Sequence, residues 1–152
     1  MKKMMPPLAA TIGQPKRGEF YILEAGTISG PANGVVFENV KDLLSPPRLI
    51  LKPEGGGFPP LREIPRLVYN RTKGPPPKDL EPGFSGYWLV SERLHQVMVS
   101  VDPRAFAFAE VDYRLADGSK GPRHLLCDVV QEIDALNEEA SKLLIDTTED
   151  FV

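Results

Sequence analysis

The chain has 152 residues, the size of one ordinary domain, with 41% hydrophobic and 26% charged side chains. Its 18 basic and 21 acidic residues leave a net charge of -3, which excludes a nucleic-acid binder relying on overall positive charge. A lone cysteine, Cys127, excludes an internal disulfide, and no apolar stretch approaches the ~18 residues of a membrane span.

At the N-terminus two lysines precede apolar residues, but Pro6-Pro7 breaks the run short of the ~7–15 apolar residues a secretory leader needs. A free thiol without a disulfide framework fits a reducing compartment, so the expected location is the cytoplasm. Residues 1–86 hold 14 of the 16 prolines and 11 of the 13 glycines. The region 1–83 is therefore expected to be cut into short strands, and 84–152 to form longer elements. Too few long apolar runs fall in the first region for a core of its own, so both belong to one domain, 1–152.

Phe20-Tyr21-Ile22-Leu23, Val35-Val36-Phe37, Arg48-Leu49-Ile50-Leu51 and Arg66-Leu67-Val68-Tyr69 read as short strands. Gly55 to Pro60 reads as a flexible loop, and Gly74-Pro75-Pro76-Pro77 as a stiff extended linker. Ser91 followed by Glu92 signals a helix start, which gives one principal helix over about 90–101. Leu94, Val97, Met98 and Val101 form its apolar stripe, and Asp102-Pro103 ends it. Phe106 to Leu115 reads as a strand whose parity shifts near Ala109 or Glu110, the signature of a bulge. His124 to Val130 is apolar on both alternating faces and reads as a central strand, paired antiparallel with Phe106–Leu115. Asp134 to Ser141 suggests a helical turn, and Leu143-Leu144-Ile145 a last strand. The expected fold is α+β, mainly antiparallel sheet, with short helical turns and a Pro/Gly-rich N-terminal half.

Site chemistry is sparse. His95, His124 and Cys127 lack the spacing of a tetrahedral metal site. Cys127 lies in the most apolar strand, where a small buried hydrophobe is expected rather than a reactive thiolate. Gly55-Gly56-Gly57 lacks the lysine and the helix start of a phosphate loop. Glu110 with Asp112, and Asp128 with Glu132, could serve acid–base chemistry only if they face each other across a cleft. No cofactor, metal or catalytic residue is expected. Two features point outward. Trp88 serves either as an anchor between helix and sheet or as a partner hot spot. The acidic tail includes Glu132, Asp134, Glu138 and Glu139 against Lys142 alone, and would match a basic partner.

The stretch from Phe84 to Ser141 resembles a bacterial immunity-protein family of polymorphic toxin systems, first catalogued as a domain of unknown function. The resemblance rests on two blocks, Leu89-Val90-Ser91-Glu92-Arg93-Leu94 and Asp134-Ala135-Leu136-Asn137 with Ser141. It implies a non-enzymatic protein that binds and neutralises a cognate toxin, with no cofactor. Members of that kind usually continue past the second block, so the resemblance implies a chain without that stretch: a short member, the product of a truncated gene, or a fragment. The contact residues expected are Glu132, Asp134, Glu138, Glu139 and Trp88. No nucleic-acid or membrane partner is expected. Two other readings stand beside this one: a small ligand-binding or enzymatic domain using Glu110, Asp112 and Asp128, and a homodimer formed through exposed strand edges.

Overall fold

A computed structural model describes Leu23, residues 33–134 and Glu139. The elements are β1 (Val35–Phe37), β2 (Arg66–Tyr69), β3 (Leu80–Phe84), β4 (Tyr87–Ser91), α1 (Glu92–Val101), β5 (Phe106–Glu110), β6 (Asp112–Arg114) and β7 (His124–Val129). The fold is mixed α+β, dominated by antiparallel pairing, with one principal helix among the described residues. One sheet runs β1-β2-β6, and the other runs β3-β4-β7-β5. Among the described residues only the β2–β6 pair is parallel.

Both faces of the four-stranded sheet are covered. On one face Leu89 and Leu126, register partners on β4 and β7, join Phe84 and Tyr87. Leu43, Leu51, Leu67 and Tyr113 close over them from the smaller sheet and its loops. On the other face Val90, Leu125 and Cys127 pack against Met98 of α1. β7 therefore buries both alternating sets of side chains, which is why Leu125, Leu126 and Cys127 run together in its sequence, with His124 and Asp128 as its buried polar residues.

Ser91 ends β4 and caps α1. Its hydroxyl accepts from the Leu94 N–H at 3.2 Å and donates to Asp79 Oδ1 at 2.6 Å. The helix thus starts at Glu92 behind its Ser91 cap and ends at Val101, with Asp102 as its C-cap before Pro103, as expected. Its contact line differs from the expected stripe. Met98 is buried and Leu94 partly buried, but Val97 is 52% and Val101 78% exposed. His95 packs edge-on against Phe108, with ring centroids 4.5 Å apart, and takes the place expected of Val97.

β5 pairs with β7 antiparallel, as expected. The parity shift after Phe108 is not a bulge but a change of sheet. The chain breaks at Val111, the Asp112 N–H donates to Pro65 O at 2.8 Å, and β6 runs beside β2 rather than β7. Arg48–Leu51 is not a strand. Leu51 is buried, while the Ser85 hydroxyl accepts from the Leu51 N–H at 2.9 Å and donates to the Leu49 carbonyl, replacing a strand ladder. The β3–β4 hairpin escaped the sequence reading because Pro82 and Gly83 interrupt β3, where the register shifts. Its two-residue turn, Ser85-Gly86, has φ of 57° and 92°, as a primed hairpin turn requires.

The Gly55–Pro60 loop is docked rather than loose. Phe58 stacks on Tyr87 with ring centroids 4.2 Å apart, and the Tyr87 hydroxyl donates to Gly57 O at 2.8 Å. The Gly74–Pro77 segment is tied down too, since Pro75 O accepts from the Gly34 N–H at 2.8 Å. Of the Phe20–Leu23 candidate only Leu23 is described, exposed and outside any strand. The helical turn expected beyond Asp134 and the Leu143–Ile145 strand fall outside the described residues.

Candidate functional site

β4 and β7 lie side by side, with Trp88 opposite Cys127. Where these strands meet the Ser85-Gly86 turn, a cleft of about 220 Å³ opens, lined by Lys52, Gly86, Trp88, Cys127, Asp128 and Val129. Its polar floor is already satisfied. Asp128, 4% exposed, accepts from Lys52 Nζ at 2.5 Å and from the Gly57 N–H at 2.6 Å. Burial, and then the Asp128 charge, push the Cys127 thiol up to about 12. The same two causes, in the same order, push the Tyr87 hydroxyl up to about 12. Cys127 is thus a protonated, buried thiol at neutral pH, as its apolar strand led one to expect.

The cleft's surroundings are apolar and exposed. Ile50, 67% exposed, has its Cγ2 3.7 Å from where a side-chain carbon on Gly86 would sit. Leu49 next to it is also exposed, because Ser85 anchors its carbonyl while the side chain stays in solvent. On the β7 side Val129, Val130 and Ile133 are exposed. Glu132 and Asp134, both exposed, follow Val129 within five residues. Trp88 and the start of the acidic run therefore lie at the same end of the sheet. Trp88 also packs against the Val90–Met98–Cys127 cluster, so it anchors the core on one side while lining the cleft on the other. Glu139 is exposed, and Glu138 lies outside the described residues. Sequence reading found Trp88 but not Lys52, Ile50 or Val129. These are joined to it only by tertiary packing, and no local pattern marks them.

The acids considered for catalysis are separated and paired. Glu110 and Asp112 share no strand, since the chain changes sheet between them. Both line an open cleft of about 520 Å³, together with Arg66, Arg114 and Lys120. Arg114 Nε donates to both Asp112 oxygens at 3.1 Å, and Arg123 bonds both Glu110 and Glu92. Partial desolvation works against ionisation of Glu92. Hydrogen bonds from Gln96 and Arg123 outweigh it and hold the carboxyl below its ordinary range. His95 lies against Phe108 on the helix face, whereas His124 packs against Tyr113 on the opposite face, its Nδ1 2.9 Å from Pro122 O. Among the described residues no group of three or more His, Cys, Asp or Glu could hold a metal ion, and no helix is long and apolar enough to cross a membrane.

Fold and site together define a small mixed α+β protein whose described surface offers shallow clefts and exposed apolar side chains. The chain matches the immunity protein family (Imm11) over residues 19–152 and belongs to that family. The match extends well beyond the 84–141 stretch that carried the resemblance, and membership brings a general neutralising, protein-binding role. Neither a curated protein nor a solved structure matches the chain.

Proposed function

We propose that this immunity protein neutralises a cognate toxin domain in the cytoplasm by non-catalytic contact, using the surface around Trp88. The observation that carries the reading is the cleft beside Trp88 at the end of β4 and β7, bordered by the exposed apolar Ile50 and Val129 and continued by Glu132 and Asp134. An interface of this kind has a buried aromatic centre and a charged rim. The Trp88 ring supplies the centre. The acids, including Glu138 and Glu139, supply a negative field that speeds encounter with a basic toxin surface. Family membership supports neutralisation in general, and the filled hydrogen bonds of Asp128 favour contact over chemistry.

The test is co-expression with the toxin encoded beside this gene, followed by calorimetry of the purified pair. Ile50→Asp and Val129→Asp, at exposed positions, should weaken binding by about 2 kcal/mol and abolish protection while leaving the fold intact. Replacing Glu132, Asp134, Glu138 and Glu139 by Lys should slow association and flatten its salt dependence. Full protection by the Ile50→Asp and Val129→Asp proteins would refute the cleft as the contact site.

A further inference from the structure

Given the Trp88 surface as the toxin contact, we propose that Ser85 is a positioning residue for it. Its hydroxyl holds Leu49 and Ile50 in a preset, exposed arrangement that an apolar recess on the toxin accepts. The role rests on that reading of the surface, and its physical basis begins in the backbone. With φ of 57°, Ser85 is the only non-glycine residue in the left-handed region among the described residues. That region disfavours serine, and a primed hairpin turn prefers Asn, Asp or Gly there. The hydroxyl is what serine brings to the position.

Neither bond of that hydroxyl serves the hairpin. It accepts from the Leu51 N–H at 2.9 Å and donates to the Leu49 carbonyl, on residues 34 and 36 positions earlier in the chain. The two bonds straddle Ile50. They fix the backbone on both sides of it and leave the Leu49 and Ile50 side chains 65% and 67% exposed. Pro46 and Pro47 before the pair and Pro53 after it narrow the backbone further, since each ring sets its own φ. Loop and turn also lie flush, because a side-chain carbon on Gly86 would sit 3.0 Å from Lys52 Cβ.

Closing the loop onto the core does not require this clamp. Leu51 is buried in the core cluster, and Lys52 pairs with Asp128. Those contacts hold residues 51 and 52 whatever side chain stands at position 85. The clamp adds order at Leu49 and Ile50, which the protein's own core does not use. Ordering exposed side chains before association removes an entropy cost from binding. A fixed aliphatic pair beside the Trp88 cleft therefore binds tighter than the same pair on a loose loop.

Two variants separate positioning from support. Ser85→Gly removes the hydroxyl but suits a positive φ, so it should melt within about 3 °C of the parent protein. Its Leu51 amide should exchange hydrogen about tenfold faster. Its complex with the purified toxin domain encoded beside this gene should dissociate about tenfold faster. Ser85→Thr keeps the hydroxyl on a β-branched residue that a positive φ strains. It should melt lower, yet its complex should last as long as the parent's. Affinity then follows the hydroxyl and not stability. Parental dissociation of the Ser85→Gly complex overturns the proposal, and so does a dissociation rate that tracks melting temperature across both variants. If Ile50→Asp still abolishes binding in those cases, the Trp88 surface stands and only the role of Ser85 falls. If Ile50→Asp binds as the parent does, both fall.

Discussion

Lys52 and Asp128, 76 residues apart in sequence, meet at the end of β7, where the ammonium donates to Oδ1 at 2.5 Å. Asp128 is 4% exposed, and the Gly57 N–H occupies its other oxygen. One buried carboxylate thus fastens the 45–60 loop to the central strand and shapes the floor of the Trp88 cleft. Lys52→Met leaves that carboxylate buried without its cation and should cost about 3 kcal/mol of folding stability. Asp128→Asn in the Lys52→Met background removes both charges and should cost less than the two single changes added together. Urea unfolding of the four proteins measures the coupling, and strict additivity would show that the pair does not act as a unit.

The central architecture was legible because local signals agreed there. β7 showed itself by apolar residues on both alternating faces, α1 by Ser91, Glu92 and Pro103, and β5 by Phe106 and Phe108. Where tertiary structure overrode local pattern, sequence reading failed. The shift after Phe108 was visible, but a bulge and a change of sheet leave the same trace in sequence. β3 was hidden because Pro82 and Gly83 look like breakers, although the hairpin accommodates them as an irregularity. The candidate surface was half legible. Trp88 stands out by residue type, whereas Ile50 and Lys52 reach it from a loop whose course is set by Ser85 and Asp128.

Ser91 joins strand, helix and loop through one hydroxyl, which accepts from the Leu94 N–H and donates to Asp79. Ser91→Ala should lower stability by about 1 kcal/mol through loss of the cap. Ser91→Asp keeps a capping oxygen but sets a carboxylate beside Asp79, so it should rescue little on its own. Combined with Asp79→Ala it should approach the parent protein. Thermal melts of the three variants test this ordering.

Gly57 and Gly34 require glycine for different reasons. Gly57 has φ of +74° with open space where a side-chain carbon would go, so Gly57→Ala carries only the left-handed backbone cost, about 1–2 kcal/mol. Asn tolerates that region better, and Gly57→Asn should recover part of the loss. At Gly34 a side-chain carbon would sit 2.5 Å from Asn70 O and 2.6 Å from Gly74 O, both backbone atoms. Gly34→Ala should therefore displace β1 from β2, and Asn should not help there. Denaturant midpoints for the four variants separate the conformational cost from the steric one.

Cys127 and Tyr87 make the fold sensitive to alkali. Burial, reinforced by Asp128, raises the Cys127 thiol from an ordinary 9.0, and the Tyr87 hydroxyl from 10.0, each to about 12. The folded protein therefore keeps both protons over a range in which the unfolded chain loses them. Their contribution to stability is complete below about pH 9 and falls as pH rises towards 12. Chemical denaturation between pH 7 and 11 should show the decline, and Cys127→Ala should make it shallower by removing one of the two groups. A thiol-specific disulfide reagent at pH 8 reports on the same burial. It should leave the native protein unmodified and react with one thiol per chain once denaturant is added. Rapid reaction in the native state would show that the cleft beside Trp88 opens to Cys127, and the alkaline decline should then be weak as well.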